Sequence, residues 1–153
     1  MATADKIQAK FEELIARLTP TGRKALTKEI AKRLAQSQRQ RIKAQKNSDG
    51  SEFEPRRKQP KQTTKRRVKA KKMFAKLGTA RLMKTQITND GVEIGYRGGD
   101  AVVADVHQFG RRIRPFKGKN FEVKYAKREL LGFTEEDMEI IENCVINALR
   151  DGL

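Results

Sequence analysis

The sequence predicts an α+β fold made of an N-terminal helical hairpin, a small antiparallel β-sheet and a C-terminal amphipathic helix, all in one domain spanning residues 1–153. Three observations carry that expectation. Apolar residues recur at helical spacing near both ends of the chain, an Asp-Gly turn separates two short apolar runs in the middle, and clusters of glycine, proline and charge divide these stretches.

The first helix is expected over 5–18. Asp5 stands where an N-cap belongs, Gln8 can complete a capping box, and Ile7, Phe11, Leu14 and Leu18 fall on one stripe. Thr19-Pro20 stops that helix and starts another, because proline at a first helical position gives up no useful N–H. The second helix runs from Pro20 or Gly22 to Gln45, with Leu26, Ile30, Leu34 and Ile42 on its apolar side and Lys24, Lys28, Lys32, Arg39 and Lys43 opposite. The two form an antiparallel hairpin or one long bent helix. Asn47-Ser48-Asp49-Gly50 is a turn. Residues 51–64, with Pro55 and Pro60 and few apolar side chains, read as an exposed or mobile loop, and a basic exposed segment covers about 51–72.

From Thr64 to Gly78 the spacing of Val68, Met73, Phe74 and Leu77 is close to helical. Leu82–Thr88 and Val92–Tyr96 form a β-hairpin around Asn89-Asp90-Gly91. Ala101–Phe109 fits a short buried helix, although Val102, Val103 and Val106 also suit a strand. Arg111–Asn120 is a basic loop, and Phe121–Tyr125 alternates like a strand. The last helix has the clearest signals: Thr134 as cap, Asp137 closing a capping box, Phe133 and Met138 at staple positions, and Glu135 and Glu136 beside the positive end of the helix dipole. Met138, Ile141, Val145 and Leu149 are its expected buried stripe, closed by Gly152.

Composition narrows function by exclusion. The chain has 35 Lys+Arg against 19 Asp+Glu, a formal charge of +16, with 37% hydrophobic and 35% charged residues. One cysteine, Cys144, excludes an internal disulfide and a cysteine zinc cluster, and one histidine, His107, excludes a His-rich metal site. No apolar run reaches the ~18 residues of a membrane span, and the polar start lacks a signal peptide's apolar core, so a soluble, unexported protein with no membrane contact is expected. The charge is uneven. Ten basic residues and no acid lie between Pro55 and Lys72, whereas seven acids face Arg150 alone from Glu129 onward.

The local motifs fail as catalytic or cofactor sites. A calcium loop through Gly50 would need ligands where Gln45 and Arg56 stand. A P-loop ending at Gly118-Lys119 would need glycine at Ile113 and Ser or Thr at Asn120. Gly95, Gly98 and Gly99 are turn glycines with the wrong spacing for a dinucleotide. His107 lacks a marked nucleophile or acid partner and reads as a packed structural residue, and Cys144 reads as a small core or edge residue. No cofactor, metal or enzymatic activity is expected. The basic run allows three readings: a solvated surface, a salt-sensitive phosphate contact through Arg56, Arg57, Lys58, Arg66, Arg67, Lys69, Lys71 and Lys72, or a surface that meets another subunit's acidic terminal helix. It has no aromatics with which to stack bases.

Ala104-Asp105-Val106-His107-Gln108-Phe109-Gly110, followed by Arg128-Glu129-Leu130-Leu131-Gly132 before an acidic amphipathic helix, resembles the bacteriophage virion morphogenesis or tail completion protein family. Gln38-Arg39-Gln40-Arg41-Ile42 and Asp49-Gly50-Ser51, with Phe53, Pro55 and Arg56, agree in the same order. Ser48 stands where the family commonly has proline. The resemblance covers nearly the whole chain and implies a non-enzymatic structural protein of a tailed phage or prophage, acting at the head-proximal end of the tail or the neck so that a tail can join a DNA-filled head. It implies the virion as location, with assembly in the host cytoplasm, and neighbouring tail terminator, tail tube or neck and connector proteins as partners. A homo-oligomeric ring is expected, sixfold to match the tail. In it His107, Gln108, Phe109 and Gly110 would fix the turn joining the central element to the basic loop. Arg128 and Glu129 would pair within or between subunits to orient the last helix, and Leu130 and Leu131 would anchor that helix in the core. Residues 55–72 would order on meeting a neighbouring ring or line a channel through which DNA passes. A small basic DNA- or RNA-binding protein acting outside the virion is the alternative.

Overall fold

A computed structural model describes residues 4–56, 72–88, 91–115 and 117–152. Its elements are α1 (Ala4–Ala16), α2 (Pro20–Lys43), β1 (Lys84–Thr88), β2 (Gly91–Gly95), α3 (Gly98–Phe109), β3 (Arg112–Ile113), β4 (Val123–Lys124) and α4 (Glu135–Gly152). The fold is α+β, with β1 paired to β2 and β3 paired antiparallel to β4. The chain divides into two compact units, one holding 1–34, 85–93 and 135–153, the other 35–84 and 94–134. Charge divides the same way. The first unit carries 9 Lys+Arg and 12 Asp+Glu, a net −3, and the second 26 and 7, a net +19.

In the first unit α1 ends where the amides of Arg17 and Leu18 turn back to the carbonyls of Leu14 and Ile15. The Thr19 hydroxyl then accepts the Gly22 amide at 3.0 Å, so Thr19 caps a new helix rather than bending an old one. Leu18, Leu26, Cys144 and Val145 form the buried centre, with Ile15, Ile30, Ile141 and Leu149 packed around them. The side chains of Ile7 and Phe11, expected on this stripe, lie outside the described residues. α1 packs against α4. A cavity of about 430 Å³ is lined by Leu18, Leu26, Cys144 and Ala148 with Glu29 and Arg33, and burial pushes the Cys144 thiol above its usual pKa.

The phase of α4 differs from expectation. Asp137 is fully buried at the helix start, and the next residue lies about 100° further round the axis. Met138 therefore faces solvent, 51% exposed, and leaves the buried stripe to Ile141, Cys144, Val145 and Leu149. Phe133 is exposed as well, so the predicted staple positions hold no buried pair.

The second unit is centred on Ala35, Ile42, Phe53, Met73, Leu77, Met83, Ala104 and Leu130. Phe53 is buried, which corrects the reading of 51–64 as an exposed or mobile loop at that position; residues 57–64 lie outside the described residues. The helix expected over 64–78 is a series of turns across 73–82, and its first part lies outside the described residues. Phe74 explains the change: its φ of 62° is left-handed, a conformation that ends a helix. The Gln45 side chain holds this turn by a pair of amide bonds, accepting the Met73 N–H at 2.8 Å and donating to the Met73 carbonyl at 2.9 Å.

The hairpin occurs where the Asp-Gly signal placed it, but it does not build the core. Lys84 through Ile87 are exposed, and the predicted arms reach the cluster only at their far ends from the turn, through Leu82 and Met83 on one side and Ile94 and Tyr96 on the other. Tyr96 donates its hydroxyl to the Leu77 carbonyl at 2.8 Å. α3 settles the helix-or-strand ambiguity as helix, with Ala104 and Val106 buried and Val102 and Val103 exposed. The predicted strand at 121–125 shortens to β4, whose partner β3 lies inside the expected basic loop.

Candidate functional site

The Arg128–Gly132 block and the His107–Gly110 block meet in the second unit, and side chains from α2 and the 47–55 turn close around them. α3 ends on Gly110 at φ +63°, which a side chain tolerates poorly. A Cβ there would also stand 3.0 Å from the Lys127 backbone nitrogen, so glycine lets residues 125–128 pass close by. The Arg128 N–H donates to the His107 carbonyl at 2.7 Å, and the Tyr125 N–H to the Arg111 carbonyl at 3.1 Å.

Gln108 satisfies the backbone that follows. Its Oε1 accepts the N–H groups of Leu130 and Leu131 at 2.9 and 3.0 Å, and its Nε2 donates to the Leu131 carbonyl at 2.7 Å. The last turns of α2 act on the same segment from another side. Gln38 Oε1 accepts the Gly132 N–H at 3.0 Å, and Arg41 donates to the carbonyls of Glu129 and Leu130 at 2.7 and 3.0 Å. From the turn, Asn47 Oδ1 accepts the Glu129 N–H at 2.9 Å, and the Ser48 hydroxyl donates to the Glu129 carboxylate at 2.5 Å. Gly132 is needed for space: a Cβ would lie 2.7 Å from the Ser48 Cβ. Leu130, fully buried, anchors the segment, with Leu131 partly buried against the same cluster.

Of the two pairings expected for Arg128 and Glu129, within or between subunits, the chain by itself shows each residue engaged with other partners. Their backbone neighbourhood sends them opposite ways, Glu129 to Ser48 and Arg128 to the carbonyls of Glu54 and Pro55 at 2.7 and 3.0 Å. Arg128 is only 6% exposed, so a buried guanidinium is bound by main-chain oxygens. Those carbonyls lead directly into Arg56, where the basic segment begins, and the Gln45–Met73 pair secures its far end beside Lys72. Arg56 and Lys72 are exposed, whereas Arg57, Lys58, Arg66, Arg67, Lys69 and Lys71 lie outside the described residues.

His107 sits between aromatic rings, edge-on to Phe74 at 4.7 Å and Tyr125 at 5.1 Å. Burial first, then the charges of Arg128 and Arg56, hold its pKa below the usual 6.5. Its Nδ1 is buried with no hydrogen-bond partner among the described residues. Phe109 points outward, 58% exposed, beneath the Arg111 guanidinium at 4.8 Å, and Arg111 is ion-paired with Asp105 at 2.6 Å.

Amides and a guanidinium thus hold main-chain groups in place, which is positioning chemistry. Among the described residues, no group of three or more His, Cys, Asp or Glu is arranged to hold a metal, and no helix is long and apolar enough to cross a membrane. Sequence reasoning did not assign Gln38, Arg41, Asn47 or Ser48 a part in this lock. The available signal was Gln38, a polar residue midway between Leu34 and Ile42 on an apolar stripe.

The profile of the phage virion morphogenesis family matches residues 2–150. The chain is 40% identical over 147 residues to tail completion protein S of Escherichia phage P2, covering 95% of this chain and 96% of that protein. No solved structure matches.

Proposed function

Because the chain belongs to the phage virion morphogenesis family, we propose that it is a non-enzymatic tail completion protein that finishes the head-proximal end of a phage tail and allows the tail to join a filled head. The observation that carries this reading is the 40% identity to a tail completion protein along almost the full length of both chains. The lock described above supports it, since His107–Gly110 and Arg128–Gly132 serve structure rather than chemistry. The protein works in the virion, at the tail or neck, as a ring of identical subunits apposed to tail tube, terminator or connector proteins. In that ring the anchored ends of the basic segment present Arg56, Lys72 and the residues between them to a neighbouring ring or to passing DNA.

The test is a phage or prophage whose own copy of this gene is inactivated, with the chain supplied in trans and particles inspected by electron microscopy. Separate filled heads and tails without the chain, and joined virions with it, are expected. Neutralising Arg66, Arg67, Lys69, Lys71 and Lys72 should leave folding intact and joining impaired. Intact virions without the chain, together with tight DNA or RNA binding that those changes abolish, would establish the alternative of a nucleic-acid-binding protein outside the virion.

A further inference from the structure

α4 has two apolar faces. The inner one is packed in its own unit. The outer one carries Met138, 51% exposed, and Ile146, 47% exposed, about two turns apart with Glu142 between them. Glu135 and Glu139 lie on the same side and are exposed, so on this face two large apolar side chains alternate with carboxylates.

The oppositely charged unit bears a counterpart. Its short helix α3 exposes Val102 at 64% and Val103 at 48%. Just beyond its end, β3 and β4 place Arg112 directly opposite Lys124. Both are exposed, so an acidic surface laid over them meets two positive charges. The two patches therefore match in kind, apolar side chains beside charged ones, and are opposite in sign, on units of net −3 and +19.

We propose that copies of this chain associate head to tail, the outer face of α4 on one copy seated on the α3 and β3 surface of the next. The inference rests on the ring reading above and names the surfaces that build it. Two different patches make the contact heterologous, so repetition closes into a ring where the rotation allows. The carboxylates and arginines steer the approach, while Met138, Ile146, Val102 and Val103 exclude water.

The experiment uses the full chain and two double variants at exposed positions, Met138→Lys with Ile146→Lys and Val102→Glu with Val103→Glu, each checked for native circular dichroism. By sedimentation velocity at tens of micromolar, the wild type should assemble, and less so as salt rises from about 0.1 M to 1 M and the screening length falls from ~10 to ~3 Å. Each variant alone should sediment as the 17.5 kDa monomer. Mixed in equal amounts, they retain one intact pair of surfaces and should form a species of twice that mass and nothing larger. A monomeric wild type, a Val102→Glu/Val103→Glu variant that assembles like the wild type, or a mixture that stays monomeric overturns the proposal. A monomeric wild type that still restores joined virions refutes this interface and spares the tail reading; assembly through these surfaces without rescue does the reverse.

Discussion

Replacing Gln108 by leucine keeps much of the side chain's volume and removes three hydrogen bonds at once. The N–H groups of Leu130 and Leu131 lose their acceptor, and the Leu131 carbonyl loses its donor. Leaving a buried polar group unsatisfied costs about 1–3 kcal/mol. Leu130 is fully buried, so its amide bears the whole penalty, whereas water can reach partly exposed Leu131 and reduce the other two. The expected loss is about 3 kcal/mol, measured by urea unfolding with circular dichroism. Hydrogen exchange at the Leu130 amide provides a local readout and should accelerate about a hundredfold, since about 1.4 kcal/mol is a factor of ten. Gln108→Glu keeps an acceptor for both amides but sets a carboxylate oxygen, in place of the Nε2 donor, against the Leu131 carbonyl. It should therefore also destabilise, and less so at a pH low enough to protonate the carboxylate and restore a donor. A leucine variant within about 0.5 kcal/mol of wild type would show that Gln108 does not hold this segment.

Gly132→Ala should destabilise by about 1–3 kcal/mol because its Cβ meets Ser48, and adding Ser48→Gly should make the double variant more stable than the two single losses sum to, measured by the same unfolding assay. His107 is held neutral by burial and by Arg128 and Arg56, so the unfolded chain takes up the proton first. Stability is therefore complete above the usual pKa of 6.5 and is lost as pH falls below it towards the depressed folded value; His107→Phe should flatten the urea midpoint across that window. Burial pushes the Tyr96 phenol up to about 12, so its contribution to stability is lost as pH rises from 10 through that value. An ultraviolet absorbance titration should show an ionisation near 12 that Tyr96→Phe removes.

The sequence made legible those features that depend on short-range chemistry. Thr19-Pro20 predicts a helix restart because cap and fixed φ act locally, and Asn89-Asp90-Gly91 predicts a hairpin because the turn needs its glycine. It misled where a side chain's role depends on distant partners. Met138 looked like a core residue by spacing, but the burial of Asp137 set the helix's rotation and turned Met138 outward. Val68 to Gly78 had helical spacing, but Phe74 takes a left-handed backbone while Gln45 grips Met73.

The site was half visible for the same physical reason. His107–Gly110 and Arg128–Gly132 could be recognised as blocks, yet nothing in either string shows that Gln108 serves the backbone of Leu130 and Leu131 or that Arg128 serves Glu54 and Pro55. Such bonds join residues far apart in sequence and involve main-chain groups that every residue carries, so they leave no pattern to read. Charge, by contrast, could be placed along the chain, as a basic middle and an acidic end, but not summed by unit. The division into a −3 unit and a +19 unit gathers segments that are far apart in sequence, so only the three-dimensional structure gives it. That separation means each copy offers both signs at once. Phosphate binding requires only the positive one, whereas assembly between copies uses both.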